Sequence, residues 1–94
     1  MEYIGREPRN AHGYLHYGNA ANDKSQLGGP LPLPEDVSDE FHVFSIEKKG
    51  MEMKWFVDGF EYQSYKPSDL LPKFAWPLEG SFHLLLNLAV GGNW

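Results

Sequence analysis

The sequence has no cysteine, no long apolar run and few basic residues. Without cysteine no disulfide can stabilise the fold, and thiols give no information about the cell compartment. The longest apolar stretch, residues 84–90 around Asn87, is too short to span a bilayer, and nothing resembles a signal peptide. The formal net charge of −5 argues against a nucleic-acid or anionic-membrane surface, which would need basic side chains. We therefore expect neither nucleic acid nor a membrane as a partner.

Aromatic residues, glycine and proline are what the chain has in abundance. Of its 94 residues 15% are aromatic, and ten are glycine and seven proline. This balance favours β-strands joined by turns, and no helical period, internal repeat or low-complexity tract is present. The aromatic side chains suit a sugar-binding surface, on which pyranose rings stack, and they suit an ordinary β-core equally well. Composition leaves both interpretations open.

Alternation and turn residues predict a small all-β domain. The predicted strands cover residues 1–5, 11–17, 41–47, 51–57, 60–65 and 82–90. Asp58-Gly59 is the dipeptide preferred in a two-residue hairpin, so residues 41–65 are predicted to form a meander with its first turn at residues 48–50. Residues 18–36 and 66–80 are predicted to be long connections, the second with one helical turn at residues 68–71. These strands are too few to build two complete sheets, so we expect partner strands to be missing.

A carboxylate and two imidazoles are the first candidates for chemistry. His12 and His16 are four residues apart on a predicted strand, so their side chains share a face. As a metal pair they are weak because no third ligand accompanies them. If a hairpin turns around residues 8–10, Glu2 lies opposite His16, and a carboxylate beside an imidazole suits an acid/base site. The alternative for Glu2 is a solvated strand end.

An amide and two tryptophans are further candidates. On the predicted last strand Asn87 shares a mixed face with His83 and Leu85, while the opposite face is apolar. Asn87 either binds a ligand or is satisfied by neighbouring backbone, since a buried amide needs partners. Trp76 and Trp94 lie near prolines and glycines, where an aromatic side chain is often functional, although each also has a core explanation.

Five segments carry a resemblance when they are taken in order. The first two are Met1-Glu2-Tyr3-Ile4-Gly5-Arg6-Glu7-Pro8 and His12-Gly13-Tyr14-Leu15-His16. The others are Phe41-His42-Val43-Phe44-Ser45-Ile46-Glu47, Trp55-Phe56-Val57-Asp58-Gly59 and Asn87-Leu88-Ala89-Val90-Gly91-Gly92-Asn93-Trp94. Together they resemble glycoside hydrolase family 16, most closely its laminarinase (endo-β-1,3-glucanase) branch. The resemblance implies a concanavalin-like β-jelly-roll sandwich of two curved antiparallel sheets. It also implies a glycan cleft on the concave side.

The resemblance also implies roles for particular residues. The family's catalytic strand reads Glu-x-Asp-x-Met-Glu, and only its final Met-Glu is present, as Met1 and Glu2. Glu2 would be the general acid/base, and Met1 the extra residue of a bulge that turns Glu2 to the cleft face. His16 would lie beside Glu2, and Asn87 would face the cleft near the cleaved sugar. We also expect His12 and Trp94 to contact substrate.

The mechanism implied by the resemblance is a retaining double displacement between two carboxylates roughly 5–5.5 Å apart. The nucleophile and its aspartate partner would precede Met1. We therefore expect residues 1–94 to be the C-terminal portion of a catalytic domain without its first half. Such a piece would be inactive alone and prone to self-association through open sheet edges.

Other functions remain open. A non-catalytic β-glucan-recognition protein of the same fold is the main alternative, and a same-fold hydrolase of mixed-linkage glucan or of a marine galactan is another. A structural β-domain without a ligand is a third. For the preferred function we expect a β-glucan partner, no cofactor, and secretion, because a polymeric substrate cannot enter cells. Any calcium ion would be structural, with ligands that cannot be identified in this sequence.

Overall fold

Two three-stranded antiparallel sheets make up the regular structure, which a computed structural model describes for residues 1–20 and 23–93. The first sheet contains β1 (Glu2–Tyr3), β2 (Asn10–Ala20) and β3 (Asp23–Pro32), and the second contains β4 (Phe44–Lys49), β5 (Glu52–Val57) and β6 (Phe60–Tyr65). A 3₁₀ turn at Pro67–Asp69 follows β6, one residue earlier than predicted. No helix in these described ranges is long and apolar enough to cross a membrane. The all-β prediction is confirmed.

The first sheet contains one strand, β3, that was not predicted from the sequence. Residues 18–36 were predicted to be a loop, which is wrong, because β3 pairs with β2 along nearly its whole length. Pro30 and Pro32 lie within β3 and obscure it in the sequence. The strand order is β1-β2-β3, so β3 is an edge strand. An edge strand tolerates proline where the missing N–H would point away from its partner.

The second sheet follows the predicted meander with one shift. Asp58 and Gly59 both have positive φ, 51° and 78°, as the predicted β5–β6 hairpin requires. β4 begins at Phe44 instead of residue 41. Just before it, Val43 is hydrogen-bonded to Asp58 of the β5–β6 turn instead of continuing the strand ladder. The Val43 N–H donates to the Asp58 carboxylate over 2.8 Å, and the Asp58 N–H donates to the Val43 carbonyl over 2.8 Å. Lys48, predicted to lie in a turn, lies in β4 opposite Met53.

The core lies between the two sheets and is closed by the connection after β6. Leu15 and Tyr17 of β2 pack in one cluster with Trp55 of β5. Trp76 belongs to the same cluster and is 7% exposed, so its core explanation is the correct one. The other members of the cluster come from the connection after β6: Leu70, Phe74 and Leu78. Since successive side chains of a strand alternate, the even-numbered residues of β2 face away from this core.

The predicted last strand is absent from the structure. Residues 81–93 form no hydrogen-bonded ladder with any described strand. The apolar face expected to be core is instead 62–94% exposed; it consists of Phe82, Leu84, Leu86 and Leu88. An apolar alternating pattern favours a strand only where a neighbouring strand offers hydrogen-bonding groups. None of the six described strands pairs with this segment.

Candidate active site

Glu2 lies in a depression on the face of the first sheet that points away from the core. The depression has a volume of about 250 Å³ and is lined by Glu2, Tyr14, His16 and Gln26. One lining residue comes from β1, two from β2 and one from β3, so the sheet itself positions them. Met1 packs against the core, which leaves the next side chain, Glu2, on the opposite face.

The pairing of β1 with β2 differs from the sequence prediction. Glu2 lies opposite His12 instead of His16, because the chain reverses around Glu7 and not around residues 8–10. Two consecutive turns cause this: the Glu7 N–H donates to the Ile4 carbonyl, and the Asn10 N–H donates to the Glu7 carbonyl. His16 nevertheless lines the same depression as Glu2. The structure therefore brings Glu2 and His16 together as predicted, but through a different pairing of β1 with β2.

Asn87 reaches the neighbourhood of Glu2 although its segment forms no strand. A second depression, of about 600 Å³, lies between residues 1–6 and residues 87–92. Glu2 and Asn87 both line it, so the carboxylate borders two adjoining depressions. Trp94, the remaining predicted contact, lies outside the described residues. An amide near a carboxylate can donate a hydrogen bond to it or to a shared ligand.

His12 is buried beneath this face and held by a carboxylate. Its side chain is 4% exposed, and its Nε2 lies 3.1 Å from Oε2 of Glu7. The Asn10 amide donates to the same Glu7 oxygen over 3.0 Å. The Asn10 hydrogen bond lowers the pKa of Glu7, and the charges of His12 and Arg6 lower it further. With so little exposed surface His12 is better placed to support the strand pair that carries Glu2 than to contact a large ligand.

A row of three rings follows β2 along this face. The Tyr14 ring centroid lies 6.3 Å from that of His12 and 6.1 Å from that of His16. His16 also lines a third depression of about 450 Å³ toward the far end of β2, where Asn19 and Lys24 lie. Two of the three depressions share His16 and two share Glu2, and the three together are called the groove below.

Tyr14 and Gln26 are lining residues that the sequence analysis did not select. Gln26 was assigned to a loop, so its position opposite His16 was not foreseen. Tyr14 could have been found, because it alternates with His12 and His16 on a strand that was predicted. Gln26 has no comparable signal, because Lys24 and Ser25 before it are also polar and polar and apolar residues do not alternate there.

The charges in the groove are few. Among residues 1–20 and 23–93, Glu2 is the only carboxylate that lines any of these three depressions. Within the same ranges no group of three or more His, Asp or Glu side chains is arranged to hold a metal ion. The described part of the site therefore offers one carboxylate, imidazole and phenol rings, amides, and the cationic side chains of Arg6 and Lys24.

Comparison with known proteins gives a consistent result. The chain matches the family described as glycosyl hydrolases family 16 over residues 1–94. It is 37% identical to a beta-glucanase of Rhodothermus marinus, over 100% of this chain and 34% of that protein. It is 35% identical to a glucan endo-1,3-beta-glucosidase of Cryptopygus antarcticus, over 98% of this chain and 36% of that protein.

A glucan endo-1,3-beta-glucosidase A1 of Niallia circulans is 33% identical, over 99% of this chain and 15% of that protein. The chain thus spans about a third, or less, of the length of these curated relatives. No solved structure matches the chain.

Proposed function

Since the chain belongs to glycosyl hydrolase family 16, we propose that its protein hydrolyses β-1,3-glucosidic bonds in laminarin-type glucans. The observation that carries this proposal is the position of Glu2, a carboxylate bordering two depressions that also contain His16 and Asn87. The names of two relatives, glucan endo-1,3-beta-glucosidases, support this choice of linkage.

Glu2 acts as the general acid/base in a reaction that retains the anomeric configuration. Its carboxylic acid gives a proton to the glycosidic oxygen as the bond to the anomeric carbon breaks. Its carboxylate then takes a proton from the water that releases the sugar. A second carboxylate, lying roughly 5–5.5 Å from that of Glu2, must attack the anomeric carbon and form the covalent glycosyl intermediate, and the proposal assigns that role to none of the described residues. The reaction needs carboxylates and water, and no cofactor.

Replacing Glu2 by glutamine tests this role. Glu2→Gln keeps the shape of the side chain but removes the transferable proton. We expect the rate of laminarin hydrolysis to fall by about 10²- to 10⁴-fold, the usual contribution of general acid–base catalysis. An aryl β-glucoside with a good leaving group needs little protonation, so its bond-breaking step, measured as a burst of released phenol, should be affected much less.

Glu35→Gln is the matched control, because Glu35 is an exposed acid outside all three depressions. It should hydrolyse laminarin at the unmodified rate. If Glu2→Gln and Glu35→Gln release reducing sugar from laminarin equally fast, Glu2 is not the acid/base.

A second candidate function is non-catalytic recognition of β-glucan. It is favoured by one observation: among the described residues a single carboxylate borders the groove. A recognition protein would bind laminarin and release no reducing ends from it. Product analysis on laminarin, lichenan and agarose separates the two functions and also separates β-1,3-glucan from mixed-linkage glucan and galactan as substrate.

A further inference from the structure

We propose that Gln26 and Tyr14 form a glucosyl-binding subsite beside Glu2, in which the Gln26 amide hydrogen-bonds the hydroxyls of a sugar next to the cleaved one. This inference rests on the proposed function and names two residues that position its substrate. Both side chains line the depression that contains Glu2. Neither takes part in the proton transfers assigned to Glu2.

The strand register places Gln26 at a distance suited to a neighbouring sugar. Gln26 lies opposite His16, and Glu2 lies opposite His12. His12 and His16 are four residues apart on β2, which corresponds to about 13 Å along the strand, and β1 and β3 lie about 10 Å apart on opposite sides of β2. The backbone positions of Glu2 and Gln26 are therefore separated by more than the length of one glucosyl ring. A glucan whose scissile bond is held at Glu2 would therefore present a different ring to Gln26.

Gly28 keeps the sheet open beside Tyr14. Gly28 lies directly opposite Tyr14 on β3 and has a φ of 123°, which L side chains rarely adopt. A Cβ there would also collide with the Gly13 carbonyl oxygen. The backbone thus requires glycine at this position, and the cross-strand neighbour of the Tyr14 ring has no side chain. A sugar ring can lie against this flank of Tyr14.

The chemistry of the two side chains matches an uncharged sugar. A glutamine amide donates two hydrogen bonds and accepts two, so it can pair with a hydroxyl that acts as donor, acceptor or both. Tyr14 lies between the His12 and His16 rings, so it offers a sugar its ring edge and its hydroxyl, which can donate to and accept from sugar oxygens. Apart from Glu2, the lining of this depression has no carboxylate and no lysine or arginine. A neutral polyol is the ligand class that this set of groups recognises best.

Gln26→Ala, assayed on laminari-oligosaccharides of two to six glucosyl units, tests the subsite. We expect KM to rise by about 2- to 10-fold for the longer oligosaccharides, the effect of one lost hydrogen bond, while kcat changes by less than about twofold. The shortest substrates, which do not reach Gln26, should keep their KM. Tyr14→Ala should show the same dependence on substrate length.

Two controls make the result decisive. Ser64→Ala removes an exposed polar group from β6 on the other sheet and should leave KM unchanged. Dissociation constants measured by calorimetry in the Glu2→Gln background give a readout independent of turnover, and they should weaken by the same factor in Gln26→Ala. Thermal unfolding reports whether each variant is folded.

The outcomes separate this inference from the proposed function. If the unmodified protein cleaves laminarin but Gln26→Ala and Tyr14→Ala leave KM and Kd unchanged at every length, the subsite is wrong and the hydrolase stands. If the unmodified protein neither cleaves nor binds β-1,3-oligosaccharides, the proposed function fails and the subsite fails with it.

Discussion

At the scale of single residues, the described site depends on how Glu7 holds the turn between β1 and β2. Glu7 accepts a hydrogen bond from Asn10, and its Oε2 lies 3.1 Å from His12 Nε2; both contacts favour the ionised form of Glu7. The same residue provides the backbone groups of two consecutive turns. Since this reversal sets Glu2 opposite His12, Glu7 fixes the position of the proposed acid/base without lining the depression.

The lowered pKa of Glu7 predicts a pH dependence of stability. The hydrogen bond from Asn10 and the charges of His12 and Arg6 hold this pKa below the ordinary value of 4.5. The stabilisation is therefore fully present above pH 4.5 and is lost as the pH falls through the lowered pKa. We expect Glu7→Gln to lower Tm at pH 7 and to show a smaller further loss than the unmodified protein below pH 4.5.

Melting curves by circular dichroism between pH 2 and pH 7 measure both effects. Glu35→Gln is again the control and should follow the unmodified protein throughout. Parallel curves for Glu7→Gln and the unmodified protein over the acid range would contradict the assignment.

Local chemistry decides which residues could be predicted from the sequence. The positive φ of Asp58 and Gly59 follows from the dipeptide itself, so the hairpin was predicted correctly. Glu2 and His16 were predicted to be neighbours, but the strand register behind that prediction was wrong. The sequence of a turn several residues long does not show which residue lies at its centre, and the centre sets the register. The position of Gln26 could not be predicted because it depends on the pairing of β3 with β2. The glycines and prolines of β3 hide that pairing in the sequence.

At the scale of the elements, the contact between the two sheets is closest at Gly13. The Gln63 amide of β6 donates to the Gly13 carbonyl over 3.0 Å. A Cβ on Gly13 would lie 2.7 Å from the Gln63 amide nitrogen and 2.9 Å from a Trp55 ring carbon. Tyr62 also lies against this position, and burial is the main cause that raises its pKa to about 12. Glycine is therefore needed here for a close approach of β2 to the second sheet.

We expect Gly13→Ala to destabilise the protein by about 1–3 kcal/mol, the usual cost of overpacking a filled interior. Denaturant unfolding measures the free energy. Gly29→Ala is the matched control, because Gly29 lies directly opposite Gly13 and a Cβ there would meet nothing within 4 Å. It should be neutral or stabilising by up to about 1 kcal/mol. Equal losses in the two variants would show that the close approach does not matter.

The elements differ in how far their own sequence determines them. β5 and β6 were predicted well because the turn and the alternation around it are local. β3 was missed because glycine and proline, which usually end strands, are tolerated at the edge of the sheet. Residues 82–90 were predicted as a strand from alternation alone, but pairing is a tertiary property and no described strand pairs with them.

At the scale of the whole molecule, residues 81–93 expose a continuous apolar surface. Five aliphatic side chains in this segment are 78–98% exposed. Contiguous apolar surface of this kind favours association. We expect the purified 94-residue chain to associate in a concentration-dependent way, mainly through this segment.

Replacing one exposed leucine with lysine tests this expectation. Leu88→Lys removes apolar surface and adds one charge, so it should shift the sedimentation profile toward the monomer. Ser81→Lys adds the same charge and removes no apolar surface, and it should leave the profile unchanged. If both substitutions shift the profile equally, the added lysine and not the loss of apolar surface governs association.

The prolines of β3 have a consequence for the outer rim of the first sheet. Pro30 is paired with His12 and Pro32 with Asn10. Because proline has no N–H, β3 lacks a backbone hydrogen-bond donor at both positions. A further strand added at this edge would meet carbonyl acceptors but would lack two of the N–H donors that a complete ladder needs. The composition of β3 thus disfavours the addition of a further strand at this edge of the first sheet.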